Sequence, residues 1–331
     1  MVNKPTATIT STQEEQPPTP DRVAVFGPAS LSNLGPGFDT LGLCLSGLGD
    51  VVEAWLTDQP GVQVVIGEGT VEAPTPTDPA KNTAARAASV VLAQAEASQG
   101  LVLCIRKGIA LGSGIGGSAA SAAAGAWAAN EALGHPFRKE ELVRAVLEGE
   151  AVASGSLHGD NALPALFGGL VLTSPADPAY YRRIPLPRAL PIALVLPHIE
   201  ILTQEARALL PAQVPFRHAI ENAADLAFML DAFRSGDWAT VGRHMMRDRL
   251  VEPVRARLVS CYDALRNAAL DAGAYGCALT GSGPALFAIT DDAGTAAQVL
   301  AAMQAACCAA GIEADGYVTE ADAEGVRVLS C

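Results

Sequence analysis

The chain has 331 residues, half of them apolar and 17% charged, which allows one large domain or two ordinary ones around a substantial core. Aromatic residues make up only 5%, so alanine and other small side chains must supply the packing. A formal charge of −13 works against general nucleic-acid binding, and no run of about eighteen apolar residues points to a membrane span.

Residues 1–20 read as a disordered Pro/Thr/Gln leader. They lack an apolar signal core and arginine and carry Glu14 and Glu15, so neither a secretory signal nor a transit peptide is expected. Arg22 to Gly27 (RVAVFG) is expected to be a strand stopped by Gly27-Pro28, and a glycine-rich polar loop follows to Asp39. An apolar run from Leu41 to Leu56 comes next. Val62–Ile66 and Leu101–Arg106 are further strands, with an alanine-rich helix from Asn82 to Ala97 between them.

A glycine-rich segment then leads into a helix from Ser118 to Leu133, apolar nearly all round and ended by Gly134 and Pro136. Glu140–Ser154 reads as helix and Gly168–Thr173 as strand. The proline-rich stretch from Pro175 to Pro191 suggests a boundary between domains at 21–175 and 185–331. Beyond it come a strand (Ile192–Leu196) and helices at Thr203–Leu210, Glu221–Ser235, Trp238–Arg247 and Arg255–Ala272. The chain closes strand (Cys277–Thr280), turn (Gly281–Gly283), strand (Ala285–Thr290), helix (Gly294–Ala310), strand (Gly316–Thr319). Strict βαβ alternation is scarce, so the fold class expected is α+β. Seven scattered cysteines without a CxxC pair point to a reducing cytoplasm, with neither disulfide framework nor zinc site.

The most informative segment is Leu111-Gly112-Ser113-Gly114-Ile115-Gly116-Gly117-Ser118-Ala119-Ala120-Ser121. Glycines allow close backbone approach to a ligand, and the segment feeds the N-terminus of a long helix. Unpaired N–H groups and the positive end of the helix dipole make such a place an anion site. No lysine follows the glycines, so it is not the common P-loop, and no acidic residue ends a following strand as a dinucleotide fingerprint needs. A glycine turn serving packing alone is the plain alternative.

Glu150 falls four residues after Val146 on the inward face of its helix. A buried carboxylate must be paired or hold a cation. Either a salt bridge to a core arginine or a Mg²⁺ ligand shared with the Ser118 hydroxyl meets that need.

Gly114-Ile115-Gly116-Gly117-Ser118-Ala119-Ala120 resembles the glycine-serine loop of the GHMP kinases, with Ala110 where proline is common and Gly117 in place of a first serine. Four more motifs occur in order: Asn33-Leu34-Gly35-Pro36-Gly37-Phe38-Asp39, Gly155 to Asn161, Thr203 to Arg207 with Asp248 to Arg255, and Gly276 to Pro284. Together they resemble the homoserine-phosphorylating branch of that family, over most of the chain from Val23 to Thr290.

The resemblance implies a two-domain α+β fold, with an N-terminal domain like the second domain of ribosomal protein S5 and a ferredoxin-like C-terminal domain. It implies ATP and Mg²⁺ as donor and cofactor, L-homoserine as acceptor, threonine biosynthesis, a cytoplasmic home and a homodimer. ATP contacts are implied for residues 110–120 and, at the adenine end, Asn82; metal ligation for Ser118 and Glu150. Substrate contacts are implied for Asn33, Asp39, His158, Asn161, Thr203, Arg207, Arg255, Gly281 and Ser282. A zwitterionic amino acid needs cationic forks for its carboxylate, which Arg207 and Arg255 can offer, and an anion for its ammonium, which Asp39 can offer. The alternatives are a surface ion pair for each arginine and a turn cap for Asp39. Asn161 stands where some relatives place an aspartate base. The rival activities are a mevalonate- or shikimate-type kinase and an ATP-binding sensor without turnover.

Overall fold

The computed structural model describes residues 21–71, 73–201 and 203–330, so the leader expected over 1–20 lies outside the described residues. Strand β1 (Val23–Ser32) pairs antiparallel with the long β2 (Leu41–Thr57). The strand expected to stop at Gly27-Pro28 runs on to Ser32. The register shifts between Pro28 and Ser30, and this bulge takes up a residue that cannot donate to the ladder.

Strand β3 (Val62–Ile66), helix α1 (Thr83–Gln94) and strand β4 (Gly100–Arg106) follow; β3 and β4 pair in parallel around the helical crossover. Helices α2 (Gly117–Ala132), α3 (Val143–Ser154) and α4 (Ala162–Phe167) then cover one face of this sheet. Their core is built of alanines such as Ala84, Ala88, Ala122 and Ala126 under Val52, Leu101 and Ile105, which lets helices approach closely. Helix α4 was not anticipated, because six residues are too few to show a period.

The middle of the chain holds β5 (Leu170–Thr173) and β6 (Tyr181–Ile184). The proline-rich stretch expected to hold a domain boundary contains β6, which pairs with β5 and so extends the first sheet.

Strand β7 (Pro191–Pro197) opens the second sheet, and α5 (Thr203–Ala208), α6 (Phe216–Ser235), α7 (Trp238–Met245), α8 (Glu252–Arg255) and α9 (Tyr262–Asp271) follow. The chain ends with β8 (Gly276–Leu279), β9 (Leu286–Ile289), α10 (Ala293–Ala309), β10 (Ala314–Glu320) and β11 (Arg327–Val328). The single helix expected from Arg255 to Ala272 is two. Arg255 faces the cleft, whereas Val259, four residues on, is buried behind the second sheet; one straight helix would carry both on one face. Val259 accordingly takes extended backbone (φ −109°, ψ 98°) between them.

Among the described residues, seven strands form the first sheet, ordered β11-β1-β2-β4-β3 with β5 and β6 attached through β2. The second sheet is antiparallel, ordered β10-β7-β9-β8, the 4-1-3-2 arrangement of a ferredoxin-like domain. Alternation along β7 divides its side chains. Ile192 and Leu194 meet Leu31, Leu43 and Ile115 in a core shared by both sheets, while Ala193 and Val195 pack on α9 and α10. The α+β class holds, and the cleft opens where the shared core ends.

Candidate functional site

A cleft of about 430 Å³ lies between the loop before α2 and the elements of the second sheet. Its floor is the glycine loop. Gly112, Gly114 and Gly116 all take left-handed backbone (φ 69°, 81° and 67°), which turns the chain sharply at alternate residues. Gly116 caps α2, and a Cβ there would stand 2.4 Å from Ser30 Oγ. The first helical bond is donated by Ala120 N–H to Gly116. The N–H groups of Gly117, Ser118 and Ala119 therefore have no intrahelical partner and mark the positive end of a sixteen-residue helix.

Ala110 to Gly114, Gly116, Gly117 and Ser118 line the cleft, whereas Ile115, Ala119 and Ala120 are buried beneath it and hold the loop down. Asn82 does not line it. Its side-chain oxygen accepts from Ala85 N–H at 3.0 Å and caps α1.

Ser118 Oγ donates to Glu150 Oε1 at 3.0 Å. The other oxygen, Oε2, is buried without a hydrogen-bond partner, and burial pushes the carboxyl up to about 8. No arginine or lysine lies within 4.0 Å of it among the described residues, so the salt-bridge alternative is not what the geometry offers. An unpartnered carboxylate oxygen beside a hydroxyl fits a hard cation such as Mg²⁺. Among the described residues no three His, Cys, Asp or Glu side chains converge, so such a cation would draw its other ligands from solvent and nucleotide.

The opposite wall is the loop from Asn33 to Asp39, where Asn33, Leu34 and Asp39 hold φ of 72°, 49° and 54°. Non-glycine residues in that region store strain, a common property of functional loops. Arg207 Nη2 donates to both oxygens of Asp39 (3.1 and 3.3 Å), so two groups expected to grip opposite ends of a substrate hold each other.

Arg255 is buried, and no carboxylate lies within 4.0 Å of it among the described residues. Its Nη1 donates to Gly281 O at 2.6 Å, its Nε has no partner, and its guanidinium stands 5.0 Å from the centre of the Phe38 ring. Burial lowers its pKa. Gly281 O also accepts from Asn33 Nδ2 at 3.0 Å, and Ser282 lines the same wall.

His158 lines the cleft with Nε2 2.7 Å from Ser156 Oγ; burial lowers its pKa against the pull of Asp39. Asn161 Oδ1 accepts from Ser30 Oγ (2.9 Å) and its Nδ2 donates to Ser32 Oγ (3.0 Å), which fixes the amide between β1 and the loop. Thr203 begins α5, and its side chain lies outside the described residues.

Asp160, Ser30 and Ser32 were missed in the sequence. Asp160 lines the cleft, and burial, with Asp39 nearby, pushes its carboxyl up to about 7. Its position beside Asn161 in the Gly155–Asn161 motif was the available signal. A second arrangement carried none. Buried Asp50 pairs with Lys107 and accepts from Ser121 Oγ (2.6 Å), Gly108 N (2.9 Å) and Ile109 N (3.2 Å), bracing the start of the loop from behind.

Known proteins give the same picture. Residues 82–169 match the family model for the GHMP kinases N terminal domain and residues 229–308 that for the GHMP kinases C terminal domain. The homoserine kinase of Chloroherpeton thalassium is 37% identical over 321 residues, 93% of this chain and 99% of that protein. That of Thermococcus gammatolerans is 40% identical over 88% of this chain and 96% of its own length. The crystal structure of homoserine kinase from Cytophaga hutchinsonii superposes with a TM-score of 0.89 at 34% identity, covering 97% of this chain and all of that one.

Proposed function

This chain belongs to the homoserine kinases of the GHMP kinase family, and we propose that its cleft transfers the γ-phosphoryl group of MgATP to the side-chain hydroxyl of L-homoserine. The products are O-phospho-L-homoserine and ADP. One observation carries the reading. An anion-binding helix start, a hydroxyl–carboxylate pair with a free oxygen, and an Asp39–Arg207–Arg255 set line a single cleft.

The loop amides from Gly112 to Ala119 hold the triphosphate. Ser118 and Glu150 hold Mg²⁺, which when bound supplies charge neutralisation on the phosphate oxygens. Arg255, with its unpaired Nε, takes the substrate carboxylate together with Arg207. The ammonium goes to Asp39, with Asp160 as a second carboxyl; substrate entry exchanges the Asp39–Arg207 pair for two contacts of the same kind. Asn33 and His158 border the acceptor. Asn161 can orient the hydroxyl but cannot take its proton, so the proton leaves with the phosphoryl oxygens or to solvent. A loose, metaphosphate-like transition state tolerates this, since positioning and charge stabilisation do most of the catalysis.

The relatives' activity supports a place in threonine biosynthesis, and a homodimer is what the motif resemblance implies. Dispersed free cysteines support a reducing, cytoplasmic setting.

The test is ADP release with MgATP and a panel of L-homoserine, L-threonine, L-serine, mevalonate, shikimate and galactose. Release with L-homoserine alone is expected. Turnover of another acceptor would overturn the roles given to Asp39, Arg207 and Arg255. ATP binding without turnover of any acceptor would favour a sensor.

A further inference from the structure

Three segments of the cleft come from distant parts of the sequence, and one residue touches all of them. Thr280, fully buried at the end of β8, accepts at Oγ1 from Ser32 N–H (3.0 Å), where β1 gives way to the acceptor loop. The same Oγ1 donates to Gly114 O (3.1 Å) in the middle of the phosphate loop. Its backbone carbonyl accepts from Gly283 N–H (2.9 Å), closing the turn whose Gly281 O receives Asn33 and Arg255. A hydroxyl has one proton to give and lone pairs to accept with, so this pattern uses both of its capacities. The approach is tight as well: a Cβ on Gly114 would stand 2.9 Å from Thr280 O and 2.8 Å from Gly283 O.

We propose that Thr280 is a positioning residue that sets the distance between the donor and acceptor halves of the site. The proposal rests on the phosphotransfer reading above. Thr280 does not line the cleft and touches neither substrate; it acts through Ser32, Gly114 and the Gly281–Gly283 turn. β8 is itself anchored from behind, since Glu252 Oε1 accepts from Leu279 N–H (3.1 Å) and Tyr262 Oη (2.6 Å). The hydroxyl of Thr280 thus has a fixed base from which to hold both loops. In-line transfer between two bound molecules is sensitive to their separation, and a displacement of about 1 Å costs roughly a hundredfold in rate.

The test compares Thr280→Val, which keeps the volume and loses the hydroxyl, with Thr280→Ser, which keeps the hydroxyl. In Thr280→Val, kcat per folded molecule should fall roughly 30- to 100-fold while KM for ATP and for L-homoserine each move less than about threefold. Thr280→Ser should recover kcat to within about threefold of the unaltered enzyme. Hydrogen exchange supplies a readout that needs no acceptor. The Ser32 amide and the amides of residues 112–118 should exchange faster in Thr280→Val and not in Thr280→Ser.

An unchanged kcat per folded molecule in Thr280→Val overturns the proposal, as does a change in one KM alone. Equal loss in both variants overturns it too, because bulk rather than the hydroxyl would then matter. If the unaltered protein fails to turn over L-homoserine, the functional reading falls, and the exchange pattern alone then upholds or overturns the role of Thr280.

Discussion

Arg255→Met separates binding from folding, because the two effects should have opposite signs. Arg255 is a buried cation with no carboxylate within 4.0 Å among the described residues and an unpaired Nε. A charge-assisted hydrogen bond contributes about 1.5–3 kcal/mol. Losing the bond to the substrate carboxylate should therefore raise KM for L-homoserine roughly 10- to 150-fold, with KM for ATP within about threefold. Replacing an unpaired buried charge by an apolar side chain of similar length is neutral or stabilising. Gly281 O keeps its bond from Asn33 Nδ2, and the methionine can still pack on Phe38, so the melting temperature should hold or rise. The assay pairs L-homoserine with 3-amino-1-propanol, which is homoserine without its carboxylate. The unaltered enzyme should prefer homoserine strongly, and the variant should nearly abolish the preference. An equal loss against both acceptors, or a loss confined to ATP, would refute the carboxylate role.

Glu150→Gln should lower kcat by at least about a hundredfold and flatten the dependence of rate on Mg²⁺; a retained Mg²⁺ dependence would remove Glu150 from the metal site. Burial holds its carboxyl at about 8 against an ordinary 4.5, so its contribution to stability is whole below about pH 4.5 and lost as pH rises through 8. At 1.36 kcal/mol per pH unit that displacement is worth about 5 kcal/mol in the metal-free protein. The glutamine variant should therefore melt higher than the unaltered protein at pH 8 and draw level near pH 5; parallel melting curves across that range would contradict the burial argument. Gly116→Ala meets both left-handed backbone, which costs a β-carbon roughly 1–2 kcal/mol, and a 2.4 Å approach to Ser30 Oγ. Denaturant titration should show at least that loss, and KM for ATP should rise more than KM for L-homoserine; equal rises would put the damage elsewhere.

Much of this was legible in the sequence where a local pattern carried it. The glycine loop before α2 and the inward face of α3 are periodicities read within a dozen residues, and they place Ser118 and Glu150 correctly side by side. Misreadings came where tertiary demands overrode local ones. Gly27-Pro28 looks like a strand end, yet a bulge carries β1 past it; Arg255 and Val259 share a helical face in sequence but must point to different places. Contacts between remote residues left no local signal. Neither the Asp50–Lys107 pair nor the bond from Asn161 to Ser32 could be inferred from composition or spacing. Nor could the pairing of Asp39 with Arg207, since each was assigned to a substrate and not to the other.

The return of the chain to its starting sheet bears on how the gene can be divided. After completing the second sheet at β10, the polypeptide bridges from Ala321 to Leu45 and lays β11 along β1. A fragment ending before β7 would expose the β1 edge where Arg327 and Val328 belong, and an edge without its partner invites pairing with other chains. A fragment beginning at β7 would bare Ile192, Leu194 and Phe287, which face the first sheet. The two lobes are therefore poor candidates for separate expression, and a viable permutant would need to keep the segment from Asp322 to Val328 joined to whichever piece carries β1.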